Sequence, residues 1–173
     1  KVIALSFQGL SDPDTNEKVL ALISKYKRKV NFFISGIMAA ENSDLVKEIH
    51  NKGHRIGSNT LIPSVNMQKL SQEELIDDFV RANIIFQEII REKPDTLLCN
   101  STIYTNDLLK AAYASGNKMV VQPTKYISYQ SFKDYEQVLG YVSRLDKGSI
   151  ITVKMDGVLE EGEYDKAQEP AKP

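Results

Sequence analysis

Short apolar runs alternate with amphipathic stretches along almost the whole of this 173-residue chain, and no other feature limits its folding so tightly. A run of four to seven residues rich in Val, Ile and Phe, followed by apolar residues at helical spacing, marks a strand–helix unit. Repeating that unit implies parallel strands with helices outside, because each helix carries the chain back to the start of the next strand. Lys1 to Phe7 reads as a buried strand, Val30 to Ser35 as a second ended by Gly36, and His54 to Gly57 as a third. Thr96 to Cys99, Lys118 to Val121 and Ser149 to Val153 follow. With six or seven such units, an open doubly wound sheet and a (β/α) barrel both fit. No Gly-x-Gly-x-x-Gly follows the first strand, so a dinucleotide site has no support.

Turn and cap chemistry punctuates the units. Asp14 with Glu17 three residues on predicts a capped helix bearing Val19, Leu20, Leu22, Ile23 and Tyr26, ending in the basic run Lys25 to Lys29. Asn42 or Ser43 starts a helix through Leu45, Val46 and Ile49, and Gly53 supplies its left-handed stop. Ser71 with Glu74 is a capping box ahead of a long apolar helix, Leu75 to Ile90, stopped by Pro94. Thr105 caps a helix closed by Gly116, and Ser131 opens one through Tyr135, Val138, Leu139, Val142 and Leu145 that turns at Gly148. From Leu159 the sequence becomes polar, Pro-containing and aperiodic. Residues 1–157 are therefore expected to form one domain, with 158–173 a linker or tail. The chain opens at Lys1 in a strand-like pattern with neither Met nor signal peptide, as in a processed protein or an excised fragment.

Charge narrows the function classes. Lys+Arg 22 against Asp+Glu 23 leaves a formal net charge of -1, which gives no electrostatic footprint for nucleic acid. No apolar run approaches the ~20 residues of a membrane span. The single Cys99 excludes an internal disulfide.

In parallel strand–helix folds chemistry sits at the C-terminal ends of strands. Those ends hold Gln8-Gly9, Ser35-Gly36, Ser58-Asn59, Asn100-Ser101, Gln122-Pro123 and Lys154-Met155-Asp156. They contain no histidine and one carboxylate, a poor set for hydrolytic metals or acid–base work. His50 and His54 have the i, i+4 spacing of a metal pair, but Gly53 should end the helix between them, and no third ligand is evident. Cys99 reads as an inert core thiol rather than a nucleophile, and Lys154 as a snorkelling or ion-paired lysine rather than a base. Tyr104, Tyr126 and Tyr129 lie in loops near strand ends, where they either stack on sugars or a partner or simply pack.

These strand ends, in this order, resemble the polysaccharide deacetylase family (the NodB-homology domain of carbohydrate esterases) over about Lys1 to Gly157. Ile3-Ala4-Leu5-Ser6-Phe7 before Asp12-Pro13, and Lys29 to Gly36, are similar to its first two strands. Leu45 to Ile49 through Gly53-His54-Arg55-Ile56-Gly57 and Leu70-Ser71-Gln72-Glu73-Glu74 carry the most specific likeness, and Gly148 to Ile151 is similar to its last strand. The resemblance implies a distorted (β/α) barrel. It also implies a metal-dependent deacetylase site that this chain departs from at every motif. The family's base aspartate and metal aspartate fall on Gln8 and Gly9, and its two metal histidines on Asn59 and Pro63. Its Arg-Pro-Pro-Tyr-Gly motif falls on Leu98-Cys99-Asn100-Ser101-Thr102, its Asp-Trp pair on Ser128-Tyr129, and its general-acid histidine on Lys154.

Family members use zinc or a similar metal to activate water. With those ligands replaced, the expectation is a non-catalytic module that uses no metal and acts in cell-wall or extracellular polysaccharide metabolism. It would bind glycan or peptidoglycan through Gln8, Asn59, Asn100, Ser101, Tyr104, Tyr129 and Lys154, or dock beside a domain beyond the tail. The alternative is an active deacetylase with atypical ligands. The resemblance also implies an extracytoplasmic or cell-surface location.

Overall fold

The computed structural model describes residues 3–157 and Leu159. The expected linker or tail therefore lies outside the described residues except for Leu159. Seven strands run in chain order: β1 Ala4–Gln8, β2 Asn31–Ile34, β3 Arg55–Ser58, β4 Thr96–Leu97, β5 Met119–Val120, β6 Lys125–Ile127 and β7 Ile150–Lys154. The helices are α1 Pro13–Lys25, α2 Gly36–Glu41, α3 Ser43–Asn51, α4 Gln72–Ile90, α5 Asn106–Ala114 and α6 Tyr135–Ser143. The sheet order is β5-β4-β3-β2-β1-β7-β6, and every pairing is parallel.

The order of strands dictates the curvature. β5 and β6 lie at opposite ends of the sheet, yet only residues 121–124 separate them. In a flat sheet six strand spacings would hold the two edges about 29 Å apart. Five residue steps reach at most about 18 Å. The sheet must therefore curl until its edges nearly meet. A crossover helix cannot fit in four residues, so the chain leaves β4's side and joins β7 while still running in the same direction. The fold is the distorted α/β barrel expected from the resemblance, and the open doubly wound alternative is excluded.

Alternation along each strand then sorts side chains between barrel interior and outer layer. Phe7, Phe32, Ile34 and Ile56 face outward and join Leu20, Ile23, Val46, Ile49 and Phe86 in one cluster. Phe7 stacks on Phe32 with ring centroids 5.1 Å apart. A second cluster gathers Leu75, Phe79 and Leu97 with Leu108, Ala111 and Ala112, and a third joins Tyr141 and Leu145 to Ile151. The inward set is smaller and more polar. Ser6 lies in register with Thr152, their hydroxyls 2.8 Å apart. Gly57 lies in register with Phe33, whose ring occupies the space a Cβ at Gly57 would need, 2.5 Å away.

Several caps differ from expectation. α1 is capped by Asp12, not Asp14: its carboxylate accepts from Thr15 N and Thr15 Oγ1 at 3.0 and 2.6 Å, and Pro13 takes the first helical position. Gly36 does not merely end β2 but opens α2, capped by Ser35. That six-residue helix is too short to show a period. α4 has the expected Ser71–Glu74 box but stops at Arg91, in left-handed conformation (φ 60°), before Pro94 is reached. α6 is capped by Asp134, while Ser131 closes a separate 3-10 turn with Ser128. β6 was not expected at all, and β4 and β5 are each two residues long.

Of the two histidines, His50 lies in α3 and binds Glu92 at 3.2 Å, while His54 precedes β3. His54 is buried, accepts from Val30 N at 3.4 Å and meets Phe32 edge-on. Burial, then the charges of Lys29 and Lys52, hold its pKa below the ordinary 6.5. A depressed imidazole pKa makes the unfolded chain take up the proton first. Stability is thus complete above about 6.5 and declines as pH falls from there to the folded-state value.

Two measurements check this fold. Gly57→Ala should lose about 1–3 kcal/mol in urea unfolding, through collision with the Phe33 ring. Gly140→Ala should gain about 0.5–1 kcal/mol, because Gly140 sits within α6 with open space around it. Second, unfolding midpoints taken from pH 7.5 to 5.5 should fall for the wild type and fall less for His54→Gln. Equal slopes would remove His54 as the source.

Candidate functional site

Strand parity aims one set of side chains at the C-terminal mouth of the barrel. Gln8 is in register with Lys154 on β7 and with Phe33 on β2, and Phe33 with Gly57 on β3. Asn59 is two residues beyond Gly57 and so faces inward again. Ser58 is in register with Leu97, which places Leu98 beside Asn59 and Asn100 one inward step further. An isolated bridge from Val65 to Asn100 and a bond from Asn66 N to Ser101 O, 3.1 Å, tie the loop after β3 to the one after β4.

Three carboxamides therefore converge. Gln8 Nε2 donates to Asn100 Oδ1 at 2.7 Å and to Asn59 Oδ1 at 3.3 Å. Asn59 Nδ2 donates to Asn100 Oδ1 at 2.8 Å and to the Leu98 carbonyl at 2.9 Å. Gln8, Asn59 and Asn100 are 3%, 3% and 5% exposed. Gln8 Oε1 is buried without a partner. Beside the cluster is a pit of about 40 Å³ lined by Gly9, Ser35, Met38, Pro63, Lys154 and Asp156 as well as the three amides. Such a volume admits a few waters at most.

The other expected site residues separate. Leu98 is fully buried, and Ser128 is buried as the cap of the 3-10 turn. Gly9 has φ +77°, a left-handed position. Pro63 is exposed in the loop after β3. Ser101 is half-buried at φ 34°. Tyr104 turns inward rather than lining a groove: Cys99 N donates to its hydroxyl at 3.0 Å, and the hydroxyl donates to Val121 O at 3.1 Å. Burial raises its pKa. Tyr129 is 73% exposed and its ring lies over Gly157. Lys154 is buried, its ammonium 6.0 Å from the Tyr126 ring centroid. The thiol of Cys99 is buried and pushed up to about 12 by desolvation, then by the Asp78 charge, so it holds its proton.

The open row of sugar-binding groups expected from the sequence is instead a plug of mutually bonded amides. Sequence reasoning picked out Gln8, Asn59 and Asn100 one by one but not their mutual contacts. It missed Met38 and Asp78. Asp78 on α4 accepts from Leu61 N at 2.9 Å and fixes the loop after β3; its pKa is raised by burial. Chemically, an amide has no pKa in the aqueous range, so none of the three can take a proton as a general base. Among the described residues no three His, Cys, Asp or Glu side chains gather in a way that could hold a metal ion. No described helix is long and apolar enough to cross a membrane.

Comparison with known proteins gives this geometry a lineage. The family model for polysaccharide deacetylase matches residues 1–120. A peptidoglycan-N-acetylglucosamine deacetylase of Bacillus cereus is 26% identical over 162 residues, covering 91% of this chain and 73% of that protein. A solved peptidoglycan N-acetylglucosamine deacetylase superposes with TM-score 0.76 at 23% identity over 89% of this chain and 72% of its own. A pseudoenzyme of carbohydrate esterase family 4 from Bacillus anthracis superposes with TM-score 0.76 at 18% identity, over 90% of this chain. This chain spans only 55% of that pseudoenzyme's chain. On the match over residues 1–120 and the shared curled sheet, the chain belongs to the polysaccharide deacetylase family.

Proposed function

We propose that this domain is a non-catalytic member of its family, a glycan-binding or docking/structural module in cell-wall or extracellular polysaccharide metabolism. The observation that carries the reading is the amide cluster of Gln8, Asn59 and Asn100 at the barrel mouth. Catalytic zinc is held by imidazole, thiolate or carboxylate. Here the converging groups are neutral carboxamides: the N–H groups of Gln8 and Asn59 point at the oxygens of Asn59, Asn100 and Leu98, and Lys154 shares the pit. That donor set does not suit a divalent cation. A glutamine at the position of the family's base cannot accept a proton.

The pit, about 40 Å³, is too small for a sugar ring, so any glycan would be held on the outer face of the mouth. Exposed Ile62, Val65, Ile103 and Tyr129 stand on the loops there. A further domain beyond the tail and an extracytoplasmic or cell-surface location belong to the same proposal. Precedent exists in the fold: the Bacillus anthracis relative is described as a pseudoenzyme, and a mutant of it as having restored enzymatic activity.

The test is metal content together with acetate release. Protein purified without chelator should carry well under one equivalent of zinc or cobalt. It should release no acetate from acetylated chitooligosaccharides or peptidoglycan fragments above a boiled control. Stoichiometric metal with acetate release would establish an active deacetylase with atypical ligands instead. Calorimetry with the same oligosaccharides separates the two non-catalytic roles: heat at millimolar ligand favours glycan binding, its absence docking.

A further inference from the structure

We propose that the Gln8 carboxamide does the cross-linking work of a cation, tying the chain after β1, β3 and β4 into one cooperative cup. This rests on the non-catalytic reading above and goes beyond it by giving the cluster a role. A bound cation organises loops by gathering oxygen atoms from separate strand ends. Gln8 Nε2 does the same with two N–H groups, gathering Asn59 Oδ1 at 3.3 Å and Asn100 Oδ1 at 2.7 Å. Asn59 Nδ2 completes the ring by holding Asn100 Oδ1 at 2.8 Å and Leu98 O at 2.9 Å. Each of the three amides comes from a different strand end, so the ring has no local, within-loop member.

The neighbouring backbone shows what is tied. Gly9 N donates to Phe33 O at 2.8 Å, Asn59 N to Ile34 O at 2.9 Å and Asn66 N to Ser101 O at 3.1 Å. These bonds lie directly beside the three amides and belong to the loops that form the mouth. A neutral tie of this kind carries no charge to desolvate, and a chelator cannot remove it. Losing Gln8 leaves Asn59 Oδ1 without its donor inside the barrel, a buried group whose desolvation is then uncompensated.

The experiment is a double-mutant cycle on the full chain with Gln8→Met and Asn59→Leu, read by urea unfolding and by amide hydrogen exchange. Each single variant should raise the unfolding constant roughly 10- to 100-fold. The double variant should cost clearly less than the two singles combined. In Gln8→Met, exchange at Gly9, Asn59 and Asn66 should quicken together, by more than at Phe32 and Ile56 in the core. Additive singles, or quickened exchange confined to Gly9, would overturn the proposal. Should Gln8→Met not fold, wild-type exchange in sub-denaturing urea serves: those three amides should open as one unit, and independent opening sinks the idea. Micromolar zinc or excess chelator should leave the wild-type midpoint unmoved. A zinc-dependent rise would overturn this proposal and the non-catalytic reading together, whereas uncoupled variants with no zinc effect would overturn this one alone.

Discussion

A parallel sheet whose two edge strands are joined by four residues has no flat solution, and the rest of the molecule is arranged around that constraint. Curling turns one face of every strand toward a common axis and leaves the other for the helices. The outer face is filled by Phe7, Phe32, Ile34, Ile56 and Leu97 against α1, α3, α4 and α5, so the bulk of the apolar burial lies outside the barrel. The inner face narrows to small and polar groups, Ser6, Gly57 and Thr152. Phe33 is a large exception, and the absent side chain of Gly57 is what admits it. The mouth is thus the one place where polar side chains from several strands can meet.

What meets there is a cluster of neutral amides. Burying an amide without a partner costs about 1–3 kcal/mol, so three buried amides are tolerable only if they satisfy one another. They do so almost completely, with Gln8 Oε1 the exception. In a metal-dependent site the same positions would face a cation with lone pairs. Here the Gln8 and Asn59 N–H donors face the Asn59 and Asn100 oxygens, so much of the polarity that would attract a cation is taken up internally. What this chain shares with its solved deacetylase relatives is the scaffold.

Much of this was legible in the residues. Alternation and the Ser71–Glu74 box located most strands and the longest helix, since hydrophobic period and capping are local properties. Individual departures such as Gln8 and Asn59 could be seen against the family's motifs. What could not be seen were features without a local signal. α2 is six residues long, β6 has three residues that pair only because the sheet has curled, and the cap of α1 falls on Asp12 because Pro13 can begin a helix. The sequence groups Tyr104 with the sugar-facing residues, yet it turns to serve Cys99 and Val121. Nothing in a loop tyrosine's neighbours along the chain says which way its hydroxyl will point.

By itself the sequence determined the parallel strand–helix class, the family and the absence of imidazole and carboxylate at most strand ends. Each of these depends on residue type and spacing along the chain. Strand periodicity left barrel and open sheet both open and the resemblance pointed to the barrel; the tertiary structure bore that out, through which strands pair across long separations. The tertiary structure alone decided that Gln8, Asn59 and Asn100 bind one another, across sequence separations of 51, 92 and 41 residues. Contacts of that range are set by strand register and curvature, and register is a property of the whole sheet rather than of any segment in it.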